Sequence, residues 1–147
     1  MQKNQPGVPV VPVARFTAKR EVVGRMVMIM SHRFNRRGLE LTDFWSRAIR
    51  QHDIEEVIFT DELDAAPGKR VERVAYLGFF ETTVGGIIYV GDQVQVQGKV
   101  VGKVAGFDLT HAPNHLNIVV VAENCIPGSE LGVALEAPIV FLWKPST

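Results

Sequence analysis

The stretch Gly91–Val121, GDQVQVQGKVVGKVAGFDLTHAPNHLNIVVV, decides the fold that the sequence predicts. Between positions 93 and 97 valine alternates with glutamine, which is the period-two pattern of a strand with one buried face. Gly98 turns the chain into a second predicted strand at 99–105. The segment 116–122 is almost wholly apolar and predicts a third strand, buried on both faces.

Short apolar segments separated by turns continue on both sides of this stretch. They predict further strands at 22–30, 56–60, 71–80, 87–90 and 133–143. Several short strands with turns between them are typical of a small β-barrel, closed or partly closed. The sequence therefore predicts a mostly-β fold.

Residues 41–52 form the one segment with a helical pattern. Thr42 is a suitable N-cap, and Asp43 suits the positive end of a helix. Apolar side chains that recur at helical spacing would form one face against the core: Leu41, Phe44, Trp45, Ala48 and Ile49. The sequence thus predicts one α-helix, at about 41–52, packed on the barrel.

The chain of 147 residues has the length of one domain. Prolines at positions 6, 9 and 12 predict that residues 1–20 form an extended or disordered arm, because proline lacks the donor that a strand ladder needs. Residues 21–147 are then a single barrel-like domain. Its long aliphatic runs lead us to expect a homo-oligomer, in which another subunit covers part of the apolar surface.

The charges exclude some classes of partner. Sixteen basic and sixteen acidic residues cancel, so no long-range field favours nucleic acid or an anionic membrane.

The sequence has no 18-residue apolar run, and its single cysteine, Cys125, suits a reducing compartment, so we expect a cytoplasmic protein. Neither a GxGxxG nor a P-loop motif follows any predicted strand, and no cofactor is predicted.

The order of features in residues 90–128 resembles the glucitol/sorbitol-specific IIA component of the bacterial sugar phosphotransferase system. In that family a Gly-Asp turn, a Val-Gly-x-Val-Ala segment, a Gly-His before an apolar strand, and a Pro-Gly follow one another. The matching residues here are Gly91-Asp92, Val101-Gly102-Lys103-Val104-Ala105, Asn114-His115-Leu116-Asn117-Ile118 and Pro127-Gly128. The match covers about a third of the chain, and it implies a β-barrel fold.

The resemblance does not extend to phosphotransfer. The family's phosphoryl-accepting histidine is expected before the Gly-Asp turn, where this chain has Tyr76–Glu81 and no histidine. What the resemblance implies is therefore the fold, and a sugar or another polar metabolite as the ligand.

The loop Phe107–Asn117, FDLTHAPNHLN, is the main candidate site, since it collects six side chains that can donate or accept hydrogen bonds or bind metal. They are Asp108, Thr110, His111, Asn114, His115 and Asn117. Three interpretations stay open. The side chains could only shape the loop, bind a ligand at a barrel mouth, or form a metal or acid–base centre with Asp108, His111 and His115.

A second cluster, His32, Arg33, Arg36 and Arg37, is a weaker candidate for binding an anion, because arginine forks suit phosphate and carboxylate. The alternative is a solvated loop, or pairing with the acidic block Asp53–Asp64.

For function we expect a non-catalytic protein that binds a small polar metabolite. The alternatives are a metal-assisted or acid–base enzyme that uses His111 and His115, and a structural assembly module.

Overall fold

The structure, a computed structural model, describes residues 17–144. Its elements, in chain order, are β1 Val22–Ile29, β2 Arg33–Phe34, β3 Leu39–Glu40, β4 Ser46–Ile49, β5 Ile54–Thr60, β6 Arg70–Val71, β7 Val74–Val84, β8 Gly86–Tyr89, β9 Gln93–Val96, β10 Lys99–Asp108, β11 Asn117–Ala122, the helix α1 Gly128–Leu131, and β12 Pro138–Leu142.

Seven strands close into a barrel, in the order β1-β12-β9-β10-β11-β5-β7 and back to β1. Neighbouring strands are antiparallel except β11 and β5, the one parallel pair among the strands of residues 17–144. The predicted mostly-β fold with a closed barrel is confirmed. Closure leaves no unpaired edge in the barrel wall, so every strand finds hydrogen-bond partners on both sides.

Alternate side chains of each strand fill the barrel. The largest side chains that are fully buried include Phe59, Phe80, Phe107 and Phe141. The rings of Phe80 and Phe141 lie 5.5 Å apart, between centroids, across the interior. Packed side chains fill the lumen of this barrel, so its interior is the hydrophobic core.

A smaller apolar cluster lies outside the barrel. The short ribbon of β3 and β6 carries Leu39 and Val71, which pack with Ile58, Tyr76 and Val119 on the outer surface of β5, β7 and β11. This cover explains why β11 is apolar at nearly every position, and it confirms the prediction that this strand is buried on both faces.

The predicted helix at 41–52 is wrong. Residues 46–49 form β4, which pairs with β8 in an antiparallel ribbon. Phe44 is 44% exposed and Ala48 is also exposed, whereas Leu41 and Ile49 are buried, so the five apolar residues do not form one face against the core. Cross-strand pairing has overridden a local helical pattern of about three turns, whose intrinsic preference is weak. Within residues 17–144 the one helix is the short α1, Gly128–Leu131.

Most of the predicted arm, residues 1–16, lies outside the described residues. Its last residues are attached to the barrel. Lys19 Nζ lies 3.0 Å from Asp92 Oδ2, and both side chains are almost fully buried. Thr17 Oγ1 lies 2.8 Å from the hydroxyl of Tyr89. The described chain therefore starts beside the turn between β8 and β9.

No helix within residues 17–144 is long and apolar enough to cross a membrane.

Gly78 in β7 is a point where the barrel tolerates no side chain. Its φ is +147°, and an added Cβ would lie 2.0 Å from the carbonyl oxygen of Met28 on β1. We predict that Gly78→Ala lowers the free energy of unfolding by about 2–4 kcal/mol, through backbone strain and overpacking. Urea denaturation measures this change.

Gly98→Ala is the matched control. Gly98 also has a positive φ, +80°, but an added Cβ would meet no atom within 4 Å. Only the conformational cost remains, about 1 kcal/mol. Equal losses of stability in the two variants would contradict the close approach of β1 to β7 at Gly78.

Candidate functional site

Three buried polar side chains form a row on the outer surface of the barrel. Asp108 on β10 pairs with Asn117 on β11, and Asn117 pairs with Glu56 on β5. Their chain neighbours Phe107, Ile118 and Val57 belong to the interior core, so by strand alternation the three polar side chains point outward. They are nonetheless 1–4% exposed. Residues 109–116 pass close above this row.

Asp108 anchors the start of that loop. Its Oδ1 accepts hydrogen bonds from the backbone N–H of Thr110 and from Asn117 Nδ2, each at 3.0 Å. Its Oδ2 accepts from Thr110 Oγ1, also at 3.0 Å. These bonds satisfy the buried carboxylate and fix the direction in which the chain leaves β10.

His115 closes the other end of the row. Its Nε2 lies 3.3 Å from Glu56 Oε1, and its ring meets the ring of Phe79 edge to face, with centroids 4.8 Å apart. His111 stands beside it, with ring centroids 5.0 Å apart. Within the described residues, Nε2 of His115 and Oδ1 of Asn117 are buried and make no hydrogen bond. Buried polar atoms without a hydrogen-bond partner are rare in protein interiors.

The two ring nitrogens of His115 have different surroundings. Nδ1 lies 2.9 Å from Asn114 Nδ2, on the exposed side of the ring. An amide nitrogen donates and does not accept, so Nδ1 accepts this hydrogen bond. With the Asn114 amide in this orientation, the tautomer that fits the neutral ring has its proton on Nε2, which lies 3.3 Å from Glu56 Oε1.

Burial shifts both partners toward their neutral forms. It raises the pKa of the Glu56 carboxyl to about 7, and the positive charge of Arg37 opposes this rise in part. Burial also lowers the pKa of His115. The nearby His111 lowers it further, whereas Asn117 raises it. A carboxyl and an imidazole in contact, with pKa values shifted in opposite directions by burial, are typical of functional sites.

A cleft of about 410 Å³ borders His115. One wall is the loop 109–116, with Leu109 and Asn114, and the other wall comes from β4 and the start of β5, with Arg47 and Glu55. Glu55 Oε1 accepts a 2.6 Å hydrogen bond from the backbone N–H of Leu116 and so joins the two walls. Burial raises the pKa of Glu55 as well.

The model of a family described as "Family of unknown function (DUF6917)" matches residues 16–142. The chain belongs to this family. The match spans β1 to β12, and it therefore includes the row, the loop and both walls of the cleft. No curated protein matches the chain, and no solved structure does. The resemblance to the IIA component stays a prediction.

The structure brings most of the sequence-predicted loop residues into one place. Asp108, Asn117 and His115 lie in or against the buried row, and Thr110 binds Asp108. His111 and Asn114 are exposed beside His115. One interpretation of the sequence was a metal centre at Asp108, His111 and His115. Residues 17–144 contain no group of three His, Cys, Asp or Glu side chains placed to hold a metal ion.

Two acidic residues of the site were missed by sequence reasoning. Glu55 and Glu56 belong to the acidic block Asp53–Asp64, for which we expected either solvent exposure or pairing with arginines. The available signal was that Glu56 directly precedes the apolar run VIF in a predicted strand, where a carboxylate is unusual.

In the second predicted cluster, His32, Arg33 and Arg37 each contact a different side chain. Arg33 donates to Glu130 of α1 at 2.6 Å, and Arg37 Nε donates to the hydroxyl of Tyr76 at 2.7 Å. The ring of His32 stacks on that of Phe34, with centroids 6.4 Å apart. Of these residues, Arg37 is near enough to Glu56 to influence its pKa.

Glu56 should make the stability of the protein depend on pH. Its pKa rises from an ordinary value of 4.5 to about 7 on folding, so between these values the folded state binds more protons than the unfolded state. Stability contributed by the protonated carboxyl is therefore present at low pH and is lost as pH rises through about 7. Glutamine has no proton to lose.

We predict that Glu56→Gln gains stability relative to the wild type as pH rises, by an amount on the order of 3 kcal/mol between about pH 4 and pH 9. Urea denaturation across this range measures the difference. Glu123→Gln, at an exposed position, is the control and should follow the wild-type profile. Parallel profiles for Glu56→Gln and the wild type would mean that Glu56 is not held protonated by burial.

Proposed function

We propose that the protein binds a small polar metabolite in the cleft between the loop 109–116 and the β4–β5 wall. The observation that carries this proposal is the position of His115, which lines the cleft on one side and contacts the buried Glu56 on the other. A sugar or a related hydroxylated compound fits the chemistry of the walls. The cytoplasmic location and the homo-oligomeric state expected from the sequence belong to the same proposal.

The cleft has the size and mixed lining of a metabolite site. Its volume of about 410 Å³ falls within the range of small-molecule pockets, roughly 300–1,000 Å³. Ile54 and Leu109, 48% and 36% exposed, give it an apolar side. Asn114 and His115 offer polar groups from the loop, so hydroxyl groups of a ligand would find both donors and acceptors.

Arg47 is the side chain best suited to hold a negatively charged or strongly polar group. Among the described residues it has no carboxylate within ion-pair distance, whereas Arg50, on the same wall, lies 3.6 Å from Asp53. The Arg47 guanidinium also packs over the ring of Phe44, 5.7 Å from its centroid. A stacked guanidinium that has no carboxylate partner is preorganised for a ligand.

A thermal-shift screen tests the proposal. Sugars, sugar alcohols, sugar phosphates and small carboxylates would be added to the purified full-length protein. A compound that binds only the native state raises the melting temperature by mass action. We predict that Arg47→Ala weakens binding of the active compound about tenfold or more, since a charge-assisted hydrogen bond contributes roughly 1.5–3 kcal/mol.

Lys99→Ala is the control, because Lys99 is an exposed cation at the opposite end of β10 from the loop. It should leave the shift unchanged. A compound that stabilises Arg47→Ala and the wild type equally would place its binding site elsewhere. A screen without any shift, together with a change of oligomer size in Asn114→Ala, would instead support an assembly module.

A further inference from the structure

We propose that His115 and Glu56 form an acid–base dyad, in which Nδ1 of His115 takes a proton from the ligand of the cleft and returns it. This inference rests on the proposed function, because the substrate of the dyad is the cleft ligand. It goes beyond binding, since it assigns a reaction class, proton transfer on a small hydroxylated carbonyl compound.

The geometry assigns different roles to the two ring nitrogens. Nε2 is buried and lies 3.3 Å from Glu56 Oε1. Nδ1 faces the exposed side, where its contact is the amide of Asn114, 2.9 Å away. Asn114 and His115 both line the cleft. A ligand that displaces the exposed Asn114 side chain therefore meets the basic lone pair of Nδ1, and the carboxylate stands behind the ring.

Glu56 acts through His115 and is a positioning residue. The β11–β5 pairing holds it in the buried row, where Asp108 fixes Asn117 on the neighbouring strand. The ring of Phe79 on β7 packs nearly perpendicular to the histidine ring, with centroids 4.8 Å apart. Arg37 acts on the pKa of Glu56 and His111 acts on that of His115, while Asp108 lies in the same row and Glu55 lines the same cleft. Orientation of a base by a buried carboxylate is a known catalytic arrangement.

The proposed step needs no oxidant or cofactor. The C–H bond next to the substrate carbonyl breaks, and its proton forms an N–H bond at Nδ1 of His115. The electron pair of the C–H bond forms a carbon–carbon double bond, and the carbonyl oxygen takes the negative charge. Arg47, on the same cleft, supplies a positive charge for that oxygen. Return of the proton from Nδ1 to the same carbon re-forms the C–H bond and the carbonyl group, and it restores the base.

The protonation states agree with this step. Burial lowers the pKa of His115, so its ring is unprotonated near neutral pH and can accept a proton. Burial raises the pKa of Glu56 to about 7, so its carboxylate becomes available to hold the Nε2 proton as pH rises through that value. The rate of the reaction should therefore rise with pH near neutrality.

Deuterium incorporation tests the dyad directly. The full-length protein is incubated in D2O with dihydroxyacetone or dihydroxyacetone phosphate, and proton NMR follows loss of the carbon-bound proton. We expect the wild type to exchange this proton faster than buffer, and His115→Asn to slow the exchange about 100-fold or more. Glu56→Gln should slow it about tenfold and remove the rise with pH near neutrality.

His32→Asn is the control histidine variant, since His32 lies on the exposed segment beside Phe34 and does not line the cleft. It should exchange at the wild-type rate. Thermal shifts with the same two probes separate the outcomes. A probe that binds and is not exchanged by the wild type overturns the dyad and leaves binding intact, whereas probes that neither bind nor exchange count against both.

A second measurement needs no ligand. Nitrogen-15 NMR of the His115 ring above about pH 8, where Glu56 is ionised, should show the neutral tautomer with its proton on Nε2. A ring that carries its proton on Nδ1 under these conditions would overturn the dyad, because the nitrogen that faces the cleft could not accept a proton.

Discussion

The register of β11 between β10 and β5 is the constraint on which the site depends. Pairing of Asp108 with Asn117, and of Asn117 with Glu56, aligns three polar side chains from segments up to 61 residues apart. A shift of one residue in either pairing would send the polar side chain of that strand into the hydrophobic barrel interior. The apolar neighbours Phe107, Ile118 and Val57 fill that interior. The free energy gained by burying them fixes the strand register, and the register fixes the positions of the three polar side chains.

Burial of the polar side chains in the row is unfavourable. The hydrogen bonds that offset this penalty differ from one residue to the next. The Asp108 carboxylate accepts three hydrogen bonds and is satisfied. Glu56 and His115 meet at 3.3 Å without an ideal hydrogen bond, and Asn117 Oδ1 has no partner within residues 17–144. A fold selected for stability alone would place apolar side chains here, as the neighbouring outer cluster around Ile58 and Val119 does. Buried titratable groups with shifted pKa values cluster at functional sites, and this pair borders a cleft.

Local patterns were enough to predict most strands and half of the site. The loop residues Asp108, His115 and Asn117 are close in sequence, and strand alternation gave the fold. Glu56 comes from β5, which joins β11 through a parallel pairing that no tight turn fixes, so sequence spacing held no signal for their contact. The helix expected at 41–52 failed for a related reason: its apolar spacing was local, whereas β8 supplied a distant pairing partner for residues 46–49.

The coupling between Glu56 and His115 is the most direct test of the site as a whole. A double-mutant cycle would compare the unfolding free energies of Glu56→Gln, His115→Asn, the double variant and the wild type at about pH 8. Side chains that contact each other in a buried site should show a coupling free energy of about 1 kcal/mol or more. Effects that add to within about 0.5 kcal/mol would contradict the account, because they would mean that the two side chains do not interact in solution.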